Sequence, residues 1–164
     1  MLQRNYDSPI GRLILIVSGR SLVYCGLDVE ECRGKMNKIK SRFLGEATEE
    51  EEMLLLRAGS QLDGYFRGER RKFDLPLYFE GTPFQMDVWK GISEVAYGET
   101  ITYTSLAAKI GNEGAVRAVA NACGKNPISI IIGCHRIVGS GGSIGGYTGG
   151  VDKKRILLAL EREE

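Results

Sequence analysis

The sequence predicts an α/β (α+β) protein: a small N-terminal domain with an antiparallel sheet and helices, then a C-terminal helical domain carrying a (winged) helix-turn-helix. Three observations predict it. Two β-rich apolar runs lie close together near the N-terminus, Arg12 to Val17 and Ser21 to Leu27. Two capping boxes, Thr48-x-x-Glu51 and Thr82-x-x-Gln85, each open an amphipathic helix. Beyond the second box, short helical stretches are separated by glycine turns. A length of 164 residues accommodates two small domains.

Taken in order, Gly19-Arg20 joins the two runs as a hairpin, and Glu30 to Phe43 reads as a charged helix. The helix opened by Thr48 sets Leu55, Ala58, Leu62 and Tyr65 on one face and stops at Gly68. Phe73, Leu75 and Leu77 alternate as in a short strand. Gly81-Thr82-Pro83 is the expected boundary, giving domains 1–81 and 82–164. Thr82 caps a helix with Pro83 at its first position and Phe84, Val88 and Ile92 along one face. Tyr97-Gly98-Glu99 is a turn. Thr104 to Ile110 and Gly114 to Cys123 are two helices around Gly111, a helix-turn-helix candidate. Ile128 to Ile132 is so apolar that a buried strand or extended segment is expected. Gly139 to Gly150 is glycine-rich, and Asp152 to Glu163 forms a last helix with Ile156, Leu157 and Leu160 facing inward.

Apolar residues make up 43% of the chain, yet no run approaches the roughly 20 residues of a membrane span. Met1 to Ile16 lacks the pattern of a secretory signal, so a soluble cytoplasmic protein is expected. The net charge of +1 neither requires nor excludes nucleic acid. It hides an acidic stretch at Glu46 to Glu52 and a basic one at Arg67, Arg70, Arg71 and Lys72. The cysteines are Cys25, Cys32, Cys123 and Cys134. Thiols are the expectation, with a Cys25–Cys32 disulfide as the alternative. A single histidine, His135, and the lack of Cys-x-x-Cys leave a zinc site unsupported, and no metal or cofactor is predicted.

The chemistry points to Cys134. A thiol is mostly protonated at neutral pH, with a pKa near ~8.5, and the thiolate is the nucleophile. His135 follows directly and is a candidate base. Glu161 shares a helix face with Leu157, and an inward carboxylate needs a partner, for which a histidine N–H is suited. The alternative for Glu161 is a solvated helix end, and for Cys134 a buried structural thiol. Glycines between 139 and 150 allow close backbone approach to a ligand, with Tyr147 as a pocket wall.

Three segments carry a specific resemblance: Asn126-Pro127-Ile128, Cys134-His135-Arg136-Ile137 and Gly145-Gly146-Tyr147-Thr148-Gly149-Gly150. With Thr82-Pro83-Phe84-Gln85, Val88-Trp89, Tyr97-Gly98-Glu99, Tyr103 and Tyr65-Phe66-Arg67-Gly68, the chain resembles the O6-alkylguanine-DNA alkyltransferases, or methylated-DNA–protein-cysteine methyltransferases. The likeness covers the C-terminal half throughout and the first sixty residues only in layout.

The resemblance implies a ribonuclease H-like N-terminal domain and an alkyltransferase C-terminal domain. It implies direct-reversal DNA repair in a single turnover, from O6-alkylguanine, with O4-alkylthymine as a second candidate. Cys134 would be the nucleophile, His135 its base through a water, Glu161 the group orienting the histidine and Asn126 the brace of the active-site turn. Tyr103 would donate to the base. Tyr147, Thr148, Ile137, Cys123 and Ser129 would line the substrate pocket. Arg117 would fill the place of a flipped nucleotide. Ala115, Ala118, Asn121 and Arg136 would contact double-stranded DNA through the minor groove. The protein would act as a monomer, without a membrane. Gly133 and Ser129 stand where the family usually has prolines, and Thr148 where serine is common; these bear on which alkyl groups are accepted.

Three other readings are separable by experiment. A lesion-binding module would leave the DNA alkylated. A transcription regulator would select a sequence in undamaged DNA. A Cys–His hydrolase would turn over many times.

Overall fold

The computed structural model describes residues 1–43 and 45–162. The chain divides into two compact units, Met1–Phe79 and Glu80–Glu164, so the division falls two residues ahead of the expected boundary.

In the first unit, β1 (Leu2–Ser8), β2 (Gly11–Ser18) and β3 (Ser21–Leu27) form an antiparallel sheet in that order. β2 and β3 are the two expected runs. Leu13 to Val17 and Leu22 to Leu27 are buried. β1 was not expected, because its residues are mostly polar. Its register against β2, from Leu2↔Val17 to Ser8↔Gly11, satisfies its backbone, and exposure alternates along it. A polar edge strand of this kind also resists pairing with other chains. Gly11 closes the first hairpin at φ +113°, a conformation open to glycine alone at little cost.

Helix α1 (Glu30–Lys40) ends three residues short of the expected Phe43. Helix α2 (Glu49–Phe66) opens on the expected capping box, with Thr48 Oγ1 accepting from the Glu51 N–H and Glu51 Oε2 accepting from the Thr48 N–H. Its Leu55, Ala58, Leu62 and Tyr65 are all buried, in a helix that packs on the sheet. Burying a leucine of this kind contributes roughly 1.5–3 kcal/mol. The expected strand at Phe73–Leu77 does not form. Pro76 lacks an N–H, so only one bridge, Leu22↔Leu77, is made there. The backbone of Asp74 pairs instead with the side chain of Gln61, at 2.8 and 2.9 Å.

In the second unit, α3 (Pro83–Ser93) starts at the Thr82 cap and buries Val88 and Ile92 as expected. Trp89 is buried as well, and its Nε1–H donates to Ala122 O at 2.9 Å. There follow β4 (Ile101–Thr102), α4 (Tyr103–Lys109), a 3-10 turn at Glu113–Ala115 and α5 (Val116–Gly124). α3 and α4 touch so closely at Gly91 that a Cβ there would lie 2.8 Å from Leu106. Thr102 caps α4 by accepting from the Ser105 N–H.

Cys134–Arg136 is a 3-10 turn leading into β5 (Ile137–Val138). β4 and β5 pair in parallel, Ile101↔Ile137 and Thr102↔Val138, and two residues apiece are too few to carry a visible period. The last helix, α6 (Val151–Arg162), buries Lys154, Leu157, Leu158 and Glu161. Glu163, where the sequence ends this helix, lies outside the described residues. Ile156 was expected to face inward and instead stands 42% exposed. The buried set at 154, 157, 158 and 161 defines one stripe, and 156 lies about 100° from it around the helix. No helix among the described residues is long and apolar enough to cross a membrane.

Candidate active site

Ile128 to Ile132 is buried at its isoleucines 128, 130 and 132 as expected, but it makes no continuous strand: it doubles back on itself, with a single bridge between Ser129 and Ile132. It is a tight turn. Ile132 N–H donates to Ile128 O at 2.9 Å, and Ile131 N–H to Ser129 O at 2.9 Å. Ile130 holds φ +74°, a conformation costly for a β-branched side chain. Asn126 supports the turn from within. Its Nδ2 donates to Ile132 O at 2.8 Å, and its Oδ1 accepts from Ile128 N–H at 3.0 Å. The chain thus arrives at Gly133 with Cys134 N–H donating to Ile132 O at 2.7 Å. Cys134 retains 8% exposure, while His135 behind it is fully buried.

The histidine meets Glu161. His135 Nε2 and Glu161 Oε1 are 2.6 Å apart. Arg136 grips the same carboxylate, Nε to Oε2 at 2.8 Å and Nη2 to Oε1 at 2.9 Å, and donates through Nη1 to Val95 O at 2.8 Å. Gly98 N–H adds a further bond to Oε2 at 3.0 Å. At Gly98, φ is +80° and a Cβ would lie 2.9 Å from Glu161 O, so only glycine brings this amide so near. Burial alone would raise the Glu161 carboxyl, but the hydrogen bonds from His135 and Arg136 hold it far below the usual range. Burial also pushes His135 down, against the opposing pull of Glu161. The carboxylate is therefore an acceptor, Nε2 carries the imidazole proton, and Nδ1 keeps the lone pair of a base. The solvated helix end is excluded for Glu161.

Arg136 is a correction. It was expected to contact DNA, but its guanidinium is buried against Glu161 and Val95. Gly133 makes this possible: a Cβ there would lie 2.9 Å from the Arg136 guanidinium.

Around Cys134 the other expected residues distribute as follows. Burial pushes the Cys123 thiol up to about 12, with Cys134 adding to the effect. Tyr103 is likewise raised to about 12 by burial, then by Cys123 and Cys134. Thr148 Oγ1 donates to Gly124 O at 3.1 Å, at the end of α5. Tyr147 and Ser129 are half-buried, and Ile137 is fully buried. All four cysteines are thiols, so no Cys25–Cys32 disulfide forms. Arg117, Ala118 and Asn121 lie on the exposed side of α5, and Ala115 is half-buried just before it. A cavity of about 460 Å³ beside β4 and β5 is lined by Thr102, Val138, Ser143 and Arg155, but by none of Cys134, His135 or Tyr103.

Sequence reasoning missed Lys154. This residue is 0% exposed, and its Nζ donates to Ile137 O at 2.6 Å, Gly146 O at 3.0 Å and Tyr103 Oη at 3.4 Å. Its position three residues before Leu157 and seven before Glu161 was the available signal.

Residues 1–79 match the family described as 6-O-methylguanine DNA methyltransferase, ribonuclease-like domain. Residues 83–163 match 6-O-methylguanine DNA methyltransferase, DNA binding domain. The chain is 42% identical over 156 residues to a methylated-DNA–protein-cysteine methyltransferase of Methanosarcina acetivorans, covering 95% of each. It is 41% identical over 162 residues to one of Mycobacterium tuberculosis, covering 97% of this chain and 91% of the relative. Among solved structures it is similar to Mycobacterium tuberculosis OGT in complex with DNA, with TM-score 0.83, 39% identity, and coverage of 98% of this chain and 92% of that one. Two domain matches that together span nearly the whole chain, and relatives of this identity and coverage, place it: the chain belongs to the 6-O-methylguanine DNA methyltransferase family.

Proposed function

We propose that this chain repairs DNA by direct reversal, moving the alkyl group of O6-alkylguanine onto Cys134 and being consumed in the act. The observation that carries the reading is the buried relay behind that sulfur, His135 to Glu161 at 2.6 Å, in a chain of this family. Neutral His135 takes the thiol proton through a water, and Glu161 steadies the imidazolium that forms. The sulfur electron pair makes the bond to the alkyl carbon. The bond from that carbon to O6 breaks, and its electrons leave with the guanine. The base gains a proton from the Tyr103 phenol, which recovers one from solvent. The thioether is stable to water, so the protein stops at one equivalent.

The target atom lies inside the duplex, so the nucleotide is turned out of the stack. The exposed side of α5, with Ala118 and Asn121, enters the minor groove, and Arg117 fills the vacated place. The protein binds as a monomer, and phosphate contacts make affinity fall with salt.

Intact-mass spectrometry after incubation with duplex DNA containing O6-methylguanine tests this. The expected result is a gain of one methyl group per chain, mapped to Cys134, with Cys134→Ala still binding DNA and gaining nothing. A label on another residue, or repeated turnover with no adduct, overturns it.

A further inference from the structure

Helix α5 is short of charge for a DNA-binding helix. Its one cation is Arg117, and in the proposed complex that side chain stands inside the base stack. Backbone phosphates must then be met by other cations of the second unit. Most of these are already engaged. Lys109 pairs with Glu94 at 3.0 Å, and Lys153 with Asp152 at 3.1 Å. Arg136 grips Glu161, and Lys154 is buried. Lys90 shares a surface cleft with Asp87 and Glu94. Arg155 and Arg162 differ. Both line the cavity of about 460 Å³ beside β4 and β5. Among the described residues neither pairs with a carboxylate, and no acidic side chain lines that cavity.

The cavity offers more than charge. Arg155 and Arg162 are seven residues apart on α6, so they share a stripe two turns long. Leu158 and Ala159 fall between them, and with Val138 they give the cavity an apolar floor. Gly141 and Gly142 form part of the rim, and a Cβ at either would meet nothing within 4 Å, so the rim stands clear for another chain to approach. Each guanidinium presents a fork that matches a phosphate. Charge, apolar surface, charge is also the order of a nucleic-acid strand: phosphate, deoxyribose, phosphate. A free inorganic phosphate would leave the floor uncovered. We propose that this cavity is a second DNA contact, in which Arg155 and Arg162 hold two neighbouring backbone phosphates with the intervening sugar on Val138 and Leu158. The proposal rests on the DNA-repair reading above. A grip of this kind reads no bases, which suits a protein that must search undamaged duplex.

The test is binding to duplex DNA carrying O6-methylguanine, by fluorescence anisotropy, in a Cys134→Ala background. Arg155→Gln/Arg162→Gln is compared with the unsubstituted pair and with Arg12→Gln/Arg67→Gln, which removes the same charge from the first unit. Loss of both guanidiniums should flatten the plot of log affinity against log salt by about two units, so the deficit at 50 mM salt should be roughly tenfold that at 200 mM. The first-unit control should keep the full slope, and Arg155→Lys/Arg162→Lys should retain most of it. Duplexes with one phosphate at a time replaced by a neutral methylphosphonate then locate the contact. At two neighbouring positions the replacement should weaken binding of the unsubstituted pair but not of the glutamine variant. With Cys134 restored, transfer at saturating DNA should stay within about twofold of wild type. An unchanged slope, an equal loss in the control, or additive effects at every methylphosphonate position overturns the proposal. So does a deficit that vanishes on a duplex too short for two copies, which assigns the cavity to a neighbouring copy of this chain. A wild type that gains no methyl group overturns the alkyl-transfer reading alone, because binding decides this proposal.

Discussion

Among the described residues each of the two units buries one glutamate, and they use it differently. In the first unit Glu51 meets only main-chain nitrogens: Gly19 N–H at 2.8 Å, Thr48 N–H at 3.2 Å and the Met1 amine at 3.1 Å. In the second, Glu161 meets the His135 ring, the Arg136 guanidinium and one amide. Burial works to raise both carboxyls, and hydrogen bonds more than offset it in both, so each remains ionised. A carboxylate held by backbone fixes where the chain runs. One held by an imidazole fixes which ring nitrogen carries the proton, and so sets up a base. The same buried group anchors main chain in one unit and orients an imidazole in the other, and its partners decide which.

The comparison is broken most directly at Glu161. Glu161→Gln leaves Arg136 without its buried counter-charge and His135 without its orienting acceptor. The second unit should lose about 3–5 kcal/mol in denaturant unfolding. Methyl transfer to Cys134 in the folded variant should slow by roughly 100-fold in single-turnover assays.

Acid separates the units next. Burial sets His135 below its usual value near ~6.5, so the unfolded chain takes up that proton first. The stability contributed by this ring is complete above about pH 6.5 and drains as pH falls through the lower folded value. Glu51 and Glu161 are both held low, so their contribution begins to fall only below about pH 4.3. The first unit has no histidine, so the second should begin to weaken about two pH units earlier. Fluorescence of Trp89, the single tryptophan, reports the second unit, and amide signals of β2 report the first. Coincident onsets contradict the comparison.

A smaller effect is expected at Glu51. Glu51→Gln should cost the first unit about 1 kcal/mol through the capping box and the hairpin contact. Transfer to Cys134 should stay within about twofold of wild type. A rate loss matching that of Glu161→Gln would erase the distinction between the two carboxylates. The smallest change is Ile156→Lys on the exposed side of α6, expected within about 0.5 kcal/mol by thermal unfolding.

Legibility in the sequence followed how local the determining interaction was. Both capping boxes were readable because cap and partner lie three residues apart. β2 and β3 were readable because apolar runs bounded by Gly19-Arg20 need no distant partner to be recognised. β1 was not, since its polar residues become a strand only against β2. The turn at Ile128–Ile132 was misread as extended because its hydrophobicity says buried, not bent; Asn126 and the +74° φ of Ile130 bend it. Arg136 read as a surface cation, since nothing local reveals that Gly133 lets its guanidinium fold back onto a carboxylate 25 positions away. Lys154 escaped because a lysine next to Asp152 and Lys153 looks solvated until its helix face is known.

The sequence by itself determined the family and the two-domain α+β class, and it singled out Cys134 and His135 as the proposed nucleophile and base. It could do so because those features are written in adjacent residues and short spacings. Tertiary structure alone decided which polar groups are buried together: Glu161 with His135 and Arg136, and Lys154 with Tyr103. Those pairings join residues 25 to 51 positions apart. They exist because desolvation penalises each group unless the fold brings it a partner.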